Sequence, residues 1–173
     1  MNQGSLRAAL QRLLVWRAVR PGSALLPVLT DTLEQAGLAM RVPTAIGPGL
    51  TLSRQARQWL EVSPAVTSET VVANTLYLQD AVLALTAAGY RDLRPGRGIF
   101  LVTTGPGGAP CPVLGRFTSG GYSGRRVREH VERLEPDLLS GRARLVVVHP
   151  DPTRLSYRHP RLQLLHVPPR WSS

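Results

Sequence analysis

The spacing of apolar residues changes near Gly89, and this change constrains the fold more than any other feature of the chain. Before that position, apolar residues mostly recur every three or four residues, as Leu6, Leu10 and Leu13 do, which is the period of an amphipathic helix. After it, residues 145–148 are continuously apolar, which is typical of a strand covered on both faces. The sequence therefore predicts an α+β protein with a mainly helical first part and an α/β second part.

The first 62 residues carry the signals of a small helical domain with one hairpin. Three short helices are predicted, with capping residues Ser5, Ser23 and Thr30 or Asp31. Glu34 is placed to complete a capping box on the third helix, and Gly37 is placed to end it. Strands are predicted at 38–42 and 50–52, and Ser53 opens a fourth helix. This order is that of a winged helix-turn-helix, which we assign to residues 1–62.

Residues 63–173 are predicted to form a second domain, of α/β type, that begins with a linker at 63–68. A long helix follows the linker and ends at Gly89, and strands at 99–104 and 112–117 are expected to pair as a hairpin. A glycine-rich bend then leads into a helix whose predicted buried side consists of Val127, Val131, Leu134 and Leu138. Two more strands are predicted at 145–148 and 162–167.

The charge of the chain points to a polyanionic partner. There are 21 arginines, no lysine and 11 acidic residues, which gives a net charge of +10. Residues 91–173 contain fourteen of the arginines and six of the acidic residues, so the positive field is strongest there. Nucleic acid is the simplest partner for such a field.

The strongest candidate for a binding site is the segment from Arg116 to Arg128, in which a predicted strand, a glycine turn and an arginine-rich helix start follow one another. Backbone N–H groups at a helix N-terminus, hydroxyl groups and guanidinium groups together suit a phosphate. The segment is not a nucleotide-binding P-loop, because the Gly-Lys-Ser/Thr ending is missing. An ordinary glycine turn with a solvated basic helix is the alternative interpretation.

Catalytic and metal sites have weaker signals. The histidines His149, His159 and His166, with Cys111, lack the paired spacing of zinc ligands. The two central predicted strands contain no acidic residue, whereas metal-dependent phosphodiester cleavage needs clustered carboxylates. We therefore predict no enzymatic activity, no metal and no cofactor.

The expected compartment is the cytoplasm, in association with the nucleoid. One cysteine cannot form an intramolecular disulfide, and arginines at positions 7, 12 and 17 interrupt any apolar run that could act as a signal peptide. No stretch approaches the roughly 18 to 20 apolar residues of a membrane span, so no membrane partner is predicted.

Four segments carry a resemblance to a known family: residues 32–38, 50–60, 113–120 and 144–150. With these segments in this order, the chain resembles the bacterial replication-relaxation family of plasmid and mobile-element proteins over most of its length. The resemblance implies a winged helix followed by a restriction-endonuclease-like α/β domain. Where such domains commonly carry an acidic residue, this chain has Gly115 and Arg116, and Ile99 stands where an Asp is expected. The resemblance therefore implies a member that cannot cleave.

The combined prediction is a non-catalytic, double-stranded DNA-binding protein of a bacterial replicon or mobile element, acting in replication, maintenance or transcriptional control. Because Asp31 and Glu34 make the presumed recognition helix acidic, the winged half is expected to bind the DNA backbone through arginines or to mediate formation of a homodimer. The predicted DNA-binding residues are Arg41, Arg54, Arg57, Arg116, Ser119, Gly120, Tyr122, Arg125, Arg126 and Arg128.

Two alternatives remain open. The first is a metal-dependent nuclease with displaced acidic residues, using His130, His149 or Asp151. The second is a module that binds RNA or an acidic protein. RNA binding has little support from composition, because the nine aromatic residues are not interleaved with arginine.

Overall fold

The computed structural model describes residues 3–23, 30–62, 68–96, 101–105, 107–108, 110–116, 123–151, 155 and 157–170. These residues form a mixed α+β structure, so the predicted class is confirmed. The chain divides into two compact units, and the division falls between Leu76 and Tyr77. No helix among the described residues is long and apolar enough to cross a membrane.

The described elements number five helices and seven strands. The helices are α1 (Gln3–Trp16), α2 (Thr30–Gln35), α3 (Arg54–Trp59), α4 (Glu69–Ala87) and α5 (Gly124–Leu139). The strands are β1 (Ala39–Val42), β2 (Gly49–Leu52), β3 (Arg91–Pro95), β4 (Leu101–Thr104), β5 (Pro110–Gly115), β6 (Leu145–His149) and β7 (Leu162–His166).

The first unit has a core built from α1, α2, the β1–β2 hairpin and α3. The hairpin is antiparallel, and Val19 adds a short bridge to Leu50 through two backbone hydrogen bonds of 2.9 and 2.7 Å. Fully buried apolar side chains from these elements pack together, among them Leu10, Leu13 and Leu33. The regularly spaced apolar residues of α1 therefore form the helix face that packs on the hairpin, as their spacing predicts.

The second unit is organised around a five-stranded sheet in the order β3-β4-β5-β6-β7. The β3–β4 and β4–β5 pairs are antiparallel, whereas β5, β6 and β7 are mutually parallel. All five residues of β6 are buried, as the continuous apolar run predicts for a central parallel strand. We call the end of the sheet where β5, β6 and β7 finish the carboxyl edge, and the end where they begin the amino edge.

Helices pack on the two faces of this sheet. On one face, Val127 and Val131 of α5 contact a cluster that includes Leu114 and Val147. On the other face, Gly115 allows α4 to approach closely. A Cβ atom at Gly115 would lie 2.4 Å from Val148 Cγ2 and 2.9 Å from Leu78 Cδ2, so any larger residue would overlap both side chains.

Two hydrogen bonds within the second unit hold the segment that follows β7 against α4. The buried Tyr77 hydroxyl donates a hydrogen bond to the backbone oxygen of Val167 at 3.0 Å. The backbone N–H of Arg170 donates to the buried carboxylate of Asp80, also at 3.0 Å. Both contacts join residues 90 positions apart and hold the end of β7 against the helix.

Most predicted elements are present with small changes at their ends. Ser53 and Ser123 are the N-caps of α3 and α5, and Gly37 and Gly89 have the positive φ angles, 67° and 83°, typical of residues that end helices. Three other predicted segments lie mainly or wholly outside the described residues: the helix after Ser23, the linker at 63–68 and the start of the strand at residue 99.

Three features of the described residues differ from the sequence expectations. Ser5 lies inside α1, which begins at Gln3, so it is not the N-cap of that helix. The strand β3 was not predicted, because four of its five side chains are exposed and it has no apolar alternation. The predicted capping box at Glu34 is replaced by an ion pair, since both carboxylate oxygens of Glu34 accept from Arg41 Nε at 2.9 and 2.8 Å.

Candidate nucleic-acid interface

A row of three basic or titratable residues crosses the parallel strands at the carboxyl edge. The strand register places His149, the last residue of β6, directly beside His166, the last residue of β7. Gly115 pairs with Val148, so the next residue after β5, Arg116, lies beside His149. Because side chains alternate along a strand, all three follow Leu114, Val147 and Leu164 onto the face that α5 covers.

These three residues are polar, whereas Leu114, Val147 and Leu164, two positions earlier on the same strands, are apolar. The three polar residues differ in exposure. His149 is buried, Arg116 is half-buried and His166 is exposed. Adjacent strands are about 5 Å apart, so the three side chains start within about 10 Å of one another. The carboxyl edge therefore carries a short polar row on the face of the sheet that α5 covers.

Backbone hydrogen bonds orient the two histidines. His149 Nδ1 accepts a hydrogen bond from the backbone N–H of Asp151 at 2.9 Å, which leaves the proton of the neutral ring on Nε2. His166 Nε2 lies 3.1 Å from the backbone oxygen of Pro150 and donates to it. Asp151 thus contributes its backbone to the positioning of His149, and its Cα lies at the same edge.

The first turn of α5 lies at this edge because the helix follows β5 and precedes the parallel strand β6. Ser123 caps the helix, with its hydroxyl oxygen accepting from the backbone N–H of Arg126 at 3.4 Å. The first turn contains Arg125 and Arg126 and no acidic residue. This arrangement opposes the helix dipole, which favours negative charge at an N-terminus by about 0.3 to 1 kcal/mol for each group.

The position of Arg126 within the first turn is also unfavourable for the stability of the helix. With Ser123 as the N-cap, Arg126 is the third helical residue, where a Glu would complete a Ser-x-x-Glu capping box. The chain has a cation where helix stability favours a carboxylate. An anionic ligand at this turn would remove the conflict, because it would satisfy the backbone N–H groups, the dipole and the guanidinium groups together.

The three arginines predicted to act together on α5 point in different directions. Successive residues of a helix are about 100° apart, so Arg126 and Arg128 project about 160° from each other around the axis. Arg125 forms an exposed ion pair with Glu129 at 3.1 Å. Arg128 lies 5.6 Å from the ring centre of Tyr157, which is a cation–π contact. Among the described residues, no side chain pairs with the exposed guanidinium of Arg126.

His130 lies one turn further along α5 and interacts with the same arginines. Its Nδ1 accepts from Arg133 at 2.6 Å. Partial burial, followed by the positive charges of Arg133 and Arg126, lowers the pKa of His130, and Glu129 opposes this effect. Burial and the neighbouring arginines therefore both favour the neutral imidazole.

The arginines predicted in the first unit have other surroundings. Arg41 is bound to two acidic residues of α2, with its guanidinium 2.8 Å from Glu34 and 3.5 Å from Asp31. Arg57 Nε donates to the backbone oxygen of Ser53 at 3.3 Å. Arg54 is exposed at the start of α3. Of these three, Arg54 is the residue whose guanidinium forms no contact with a described residue.

Three predicted site residues, Ser119, Gly120 and Tyr122, lie outside the described residues. The strand register instead brings together Arg116 and the two histidines, His149 and His166, at the carboxyl edge, where α5 also begins. The sequence contained a weak signal for His149 and His166, since both end apolar strands, but only the register shows that they are neighbours.

The described residues contain no group of three or more His, Cys, Asp or Glu side chains placed to hold a metal ion. Cys111 is buried, and burial raises the pKa of its thiol to about 11, with the charge of Arg144 opposing the shift. A buried thiol of this kind is protonated at neutral pH and is a poor nucleophile.

Comparison of the chain with protein-family models, with curated proteins and with solved structures gives no match.

Proposed function

We propose that this chain is a non-catalytic, double-stranded DNA-binding protein whose main phosphate contacts lie at the carboxyl edge of the second unit. The residues assigned to those contacts are Arg116 and Arg126, with the backbone N–H groups of the first turn of α5. Arg125 is paired with Glu129 and has to leave that pair to contribute. His166 lies at the exposed end of the same row. The biological setting we propose, from the resemblance to the replication-relaxation family, is a bacterial replicon or mobile element.

The observation that carries this proposal is Arg126 at the third position of a serine-capped helix. Folding alone would favour Glu at this position, through both the capping box and the dipole. An arginine with no described side-chain partner, in a turn without acidic residues, is explained when a phosphate is the missing partner.

The charge of the second unit supports the same conclusion. Residues 77–170 contain fourteen arginines and seven acidic residues, so the unit has a net charge of +7. Contacts between arginine and phosphate supply most of the affinity of non-specific DNA binding. Sequence preference then depends on contacts to the bases.

The first unit is proposed to be a winged helix-turn-helix. Support comes from the order of α1, α2, the β1–β2 hairpin and α3, and from the bridge between Val19 and Leu50 that adds a third short segment to the hairpin. Because Arg41 is bound to the acidic residues of α2, Arg54 is the better candidate for a phosphate contact in this unit. Formation of a homodimer through the winged helix belongs to the same proposal.

The test is fluorescence-anisotropy binding to a random 30-base-pair duplex, to single-stranded DNA and to RNA across a salt series. We expect the duplex to bind most tightly, with a logarithmic affinity that falls steeply with the logarithm of salt concentration. Replacing Arg126 with Gln should lower the slope by about one unit, as expected for one lost phosphate contact.

The matched control is Arg7→Gln, which removes the same charge from an exposed position on α1. Equal loss of affinity in both variants would show that only net charge matters and would contradict the assigned site. Tighter binding of RNA than of duplex DNA would favour the RNA alternative. A magnesium-dependent cleavage product from plasmid DNA would favour the nuclease alternative.

A further inference from the structure

A second basic surface lies at the amino edge of the sheet, away from the proposed site. β6 begins at Leu145 and β7 begins at Leu162, and these two residues are paired in register. Arg144 and Arg161 come immediately before them, so the two arginines are neighbours on adjacent strands. The backbone N–H of Leu145 donates to Arg161 O at 3.2 Å, and that of Arg144 donates to Pro110 O at 3.2 Å, which fixes both positions.

The guanidinium groups at this edge have little compensation from acidic residues. Arg144 and Arg161 are both exposed, and neither pairs with a carboxylate among the described residues. Asp137, at the end of α5, pairs with Arg142 at 3.0 Å. The side chain of Arg161 reaches the turn that follows α5. Its Nη2 atom would lie 3.7 Å from a Cβ atom placed on Gly141. Arg142, Arg144 and Arg161 therefore lie near one acidic residue, Asp137, and Arg91 and Asp92 begin β3 at the same end of the sheet.

Placing like charges side by side on adjacent strands is unfavourable for folding. An ordinary protein surface would intersperse acidic residues at such positions. The amino edge instead concentrates positive charge at ordered backbone positions, so a polyanion bound there would meet several guanidinium groups at one end of the sheet.

The two basic surfaces are separated by a helix that does not attract phosphate. α5 has 16 residues and is about 24 Å long, which exceeds the Debye length of about 8 Å at physiological ionic strength. After its first turns, the helix carries Glu129, Glu132, Glu135 and Asp137 against Arg133. Glu129 and Asp137 are paired with Arg125 and Arg142, which leaves Glu132 and Glu135 against Arg133. A phosphate path along this part of α5 therefore gains little.

We propose that the amino edge is a second DNA-binding surface, through which one molecule of the protein holds a second duplex segment and bridges it to the first. Arg144 and Arg161 supply the main phosphate contacts, and Arg142 lies beside them. The identity of the polyanion as duplex DNA rests on the proposed function, whereas the existence of two separate surfaces rests on the strand register and the charges.

The experiment is a capture assay with the full chain. A biotinylated 30-base-pair duplex is fixed to beads, the protein is added, unbound protein is washed away, and a fluorescent duplex of different sequence is supplied. Light scattering in solution identifies the monomeric fraction used. We expect the wild-type monomer to capture the second duplex. Arg144→Gln with Arg161→Gln should lower capture at least tenfold while changing single-duplex affinity by less than threefold.

Two further variants separate charge from fold. Arg144→Lys with Arg161→Lys keeps the charge and should restore most of the capture. Arg7→Gln with Arg17→Gln removes two charges from the first unit and should capture as the wild type does. Undiminished capture by the Arg144→Gln, Arg161→Gln variant would overturn the inference, as would capture that occurs only in oligomeric fractions.

The same assay distinguishes this inference from the proposed function. Single-duplex binding by the wild type reports the carboxyl edge, and capture reports the amino edge. A wild-type protein that binds one duplex but captures none contradicts the bridging inference and leaves the proposed function standing. A protein that binds no duplex in solution contradicts both.

Discussion

Arg41 in the first unit and Arg126 in the second carry the same formal charge in opposite surroundings. Arg41 is surrounded by carboxylates, with Glu34 at 2.8 Å and Asp31 at 3.5 Å. Arg126 stands in a helical turn without acidic residues, next to Arg125. The first arginine stabilises its own unit, whereas the second has no described side-chain partner.

This difference shows that the arginine content of a chain does not identify a nucleic-acid surface by itself. What distinguishes the two residues is where the acidic residues lie in three dimensions. A cation that is already paired must break that pair before it contacts a phosphate, and this lowers the gain in affinity. A cation held against a helix dipole is poised to bind an anion, since binding relieves an existing conflict.

The largest expected effect comes from disturbing each unit separately at a close-packed glycine. A Cβ atom at Gly115 would lie 2.4 Å from Val148 Cγ2, and one at Gly49 would lie 2.4 Å from Val72 Cγ1. Each Gly→Ala substitution should destabilise its unit by about 1 to 3 kcal/mol, because the neighbouring β-branched side chains cannot move away easily. Urea unfolding measures this change.

The two glycine substitutions should have different effects on DNA binding. Gly115→Ala should also weaken duplex binding, because Gly115 directly precedes Arg116 at the carboxyl edge. Gly49→Ala should leave the affinity of the folded protein within about twofold. The reverse result would place the main DNA surface in the first unit and contradict our comparison.

The next effect concerns the two serine N-caps. Ser53 Oγ accepts from Ala56 N at 3.1 Å and also donates to Gly37 O at 2.6 Å, whereas Ser123 Oγ makes the single described bond, at 3.4 Å, to Arg126 N. Ser53→Ala should therefore cost about 1 to 2 kcal/mol of stability, and Ser123→Ala about 0.5 to 1 kcal/mol. Chemical denaturation gives both values.

The expected effects on duplex affinity are reversed: Ser123→Ala should lower the affinity more than Ser53→Ala does. Ser123→Ala frays the turn that presents Arg126 and should reduce the affinity, whereas Ser53→Ala should not. If both variants bind duplex as the wild type does, the first turn of α5 is not the binding element.

A smaller effect is expected for Arg41→Gln. Both the arginine and Asp31 are substantially exposed, so the loss of the ion pairs should cost no more than about 1 kcal/mol. Duplex affinity at physiological salt should change less than it does in Arg126→Gln. A loss of affinity in Arg41→Gln as large as in Arg126→Gln would show that Arg41 contacts DNA despite its carboxylate partners.

The smallest effect is the pH dependence contributed by His130. Its pKa is lowered in the folded state, so the unfolded chain binds more protons at mildly acidic pH. Its contribution to stability is therefore fully present above the unfolded pKa of about 6.5 and decreases as the pH falls below that value. Replacing His130 with Asn should flatten the decrease in Tm between pH 7 and pH 5. An unchanged pH profile would exclude this contribution.

Much of the fold could be predicted from the sequence because local signals agree with tertiary packing. Ser53, Gly37, Gly89 and Ser123 mark element ends that the structure shows, and the continuous apolar run at residues 145–148 becomes the buried strand β6. β3 could not be predicted, because an exposed edge strand with two arginines, an Asp and a Pro has neither apolar alternation nor β propensity.

The site was less predictable than the fold. Segment 116–128 was recognised as basic, but helical geometry separates Arg126 from Arg128, and the ring of Tyr157 contacts only the latter. The neighbouring positions of Arg116, His149 and His166 depend on strand register, which brings together residues up to 50 positions apart. Pairing of Arg41 with Glu34 similarly depends on how β1 packs beside α2.

The most direct test of the account is the substitution Arg126→Glu, with duplex affinity and unfolding free energy measured on the same sample. The substitution completes a capping box and agrees with the helix dipole, so stability should rise by about 0.5 to 1 kcal/mol. Duplex affinity should fall at least tenfold, because a phosphate contact is replaced by repulsion. Unchanged affinity, or a fall in affinity accompanied by an equal loss of stability, would contradict the claim that this turn has an arginine in order to bind DNA.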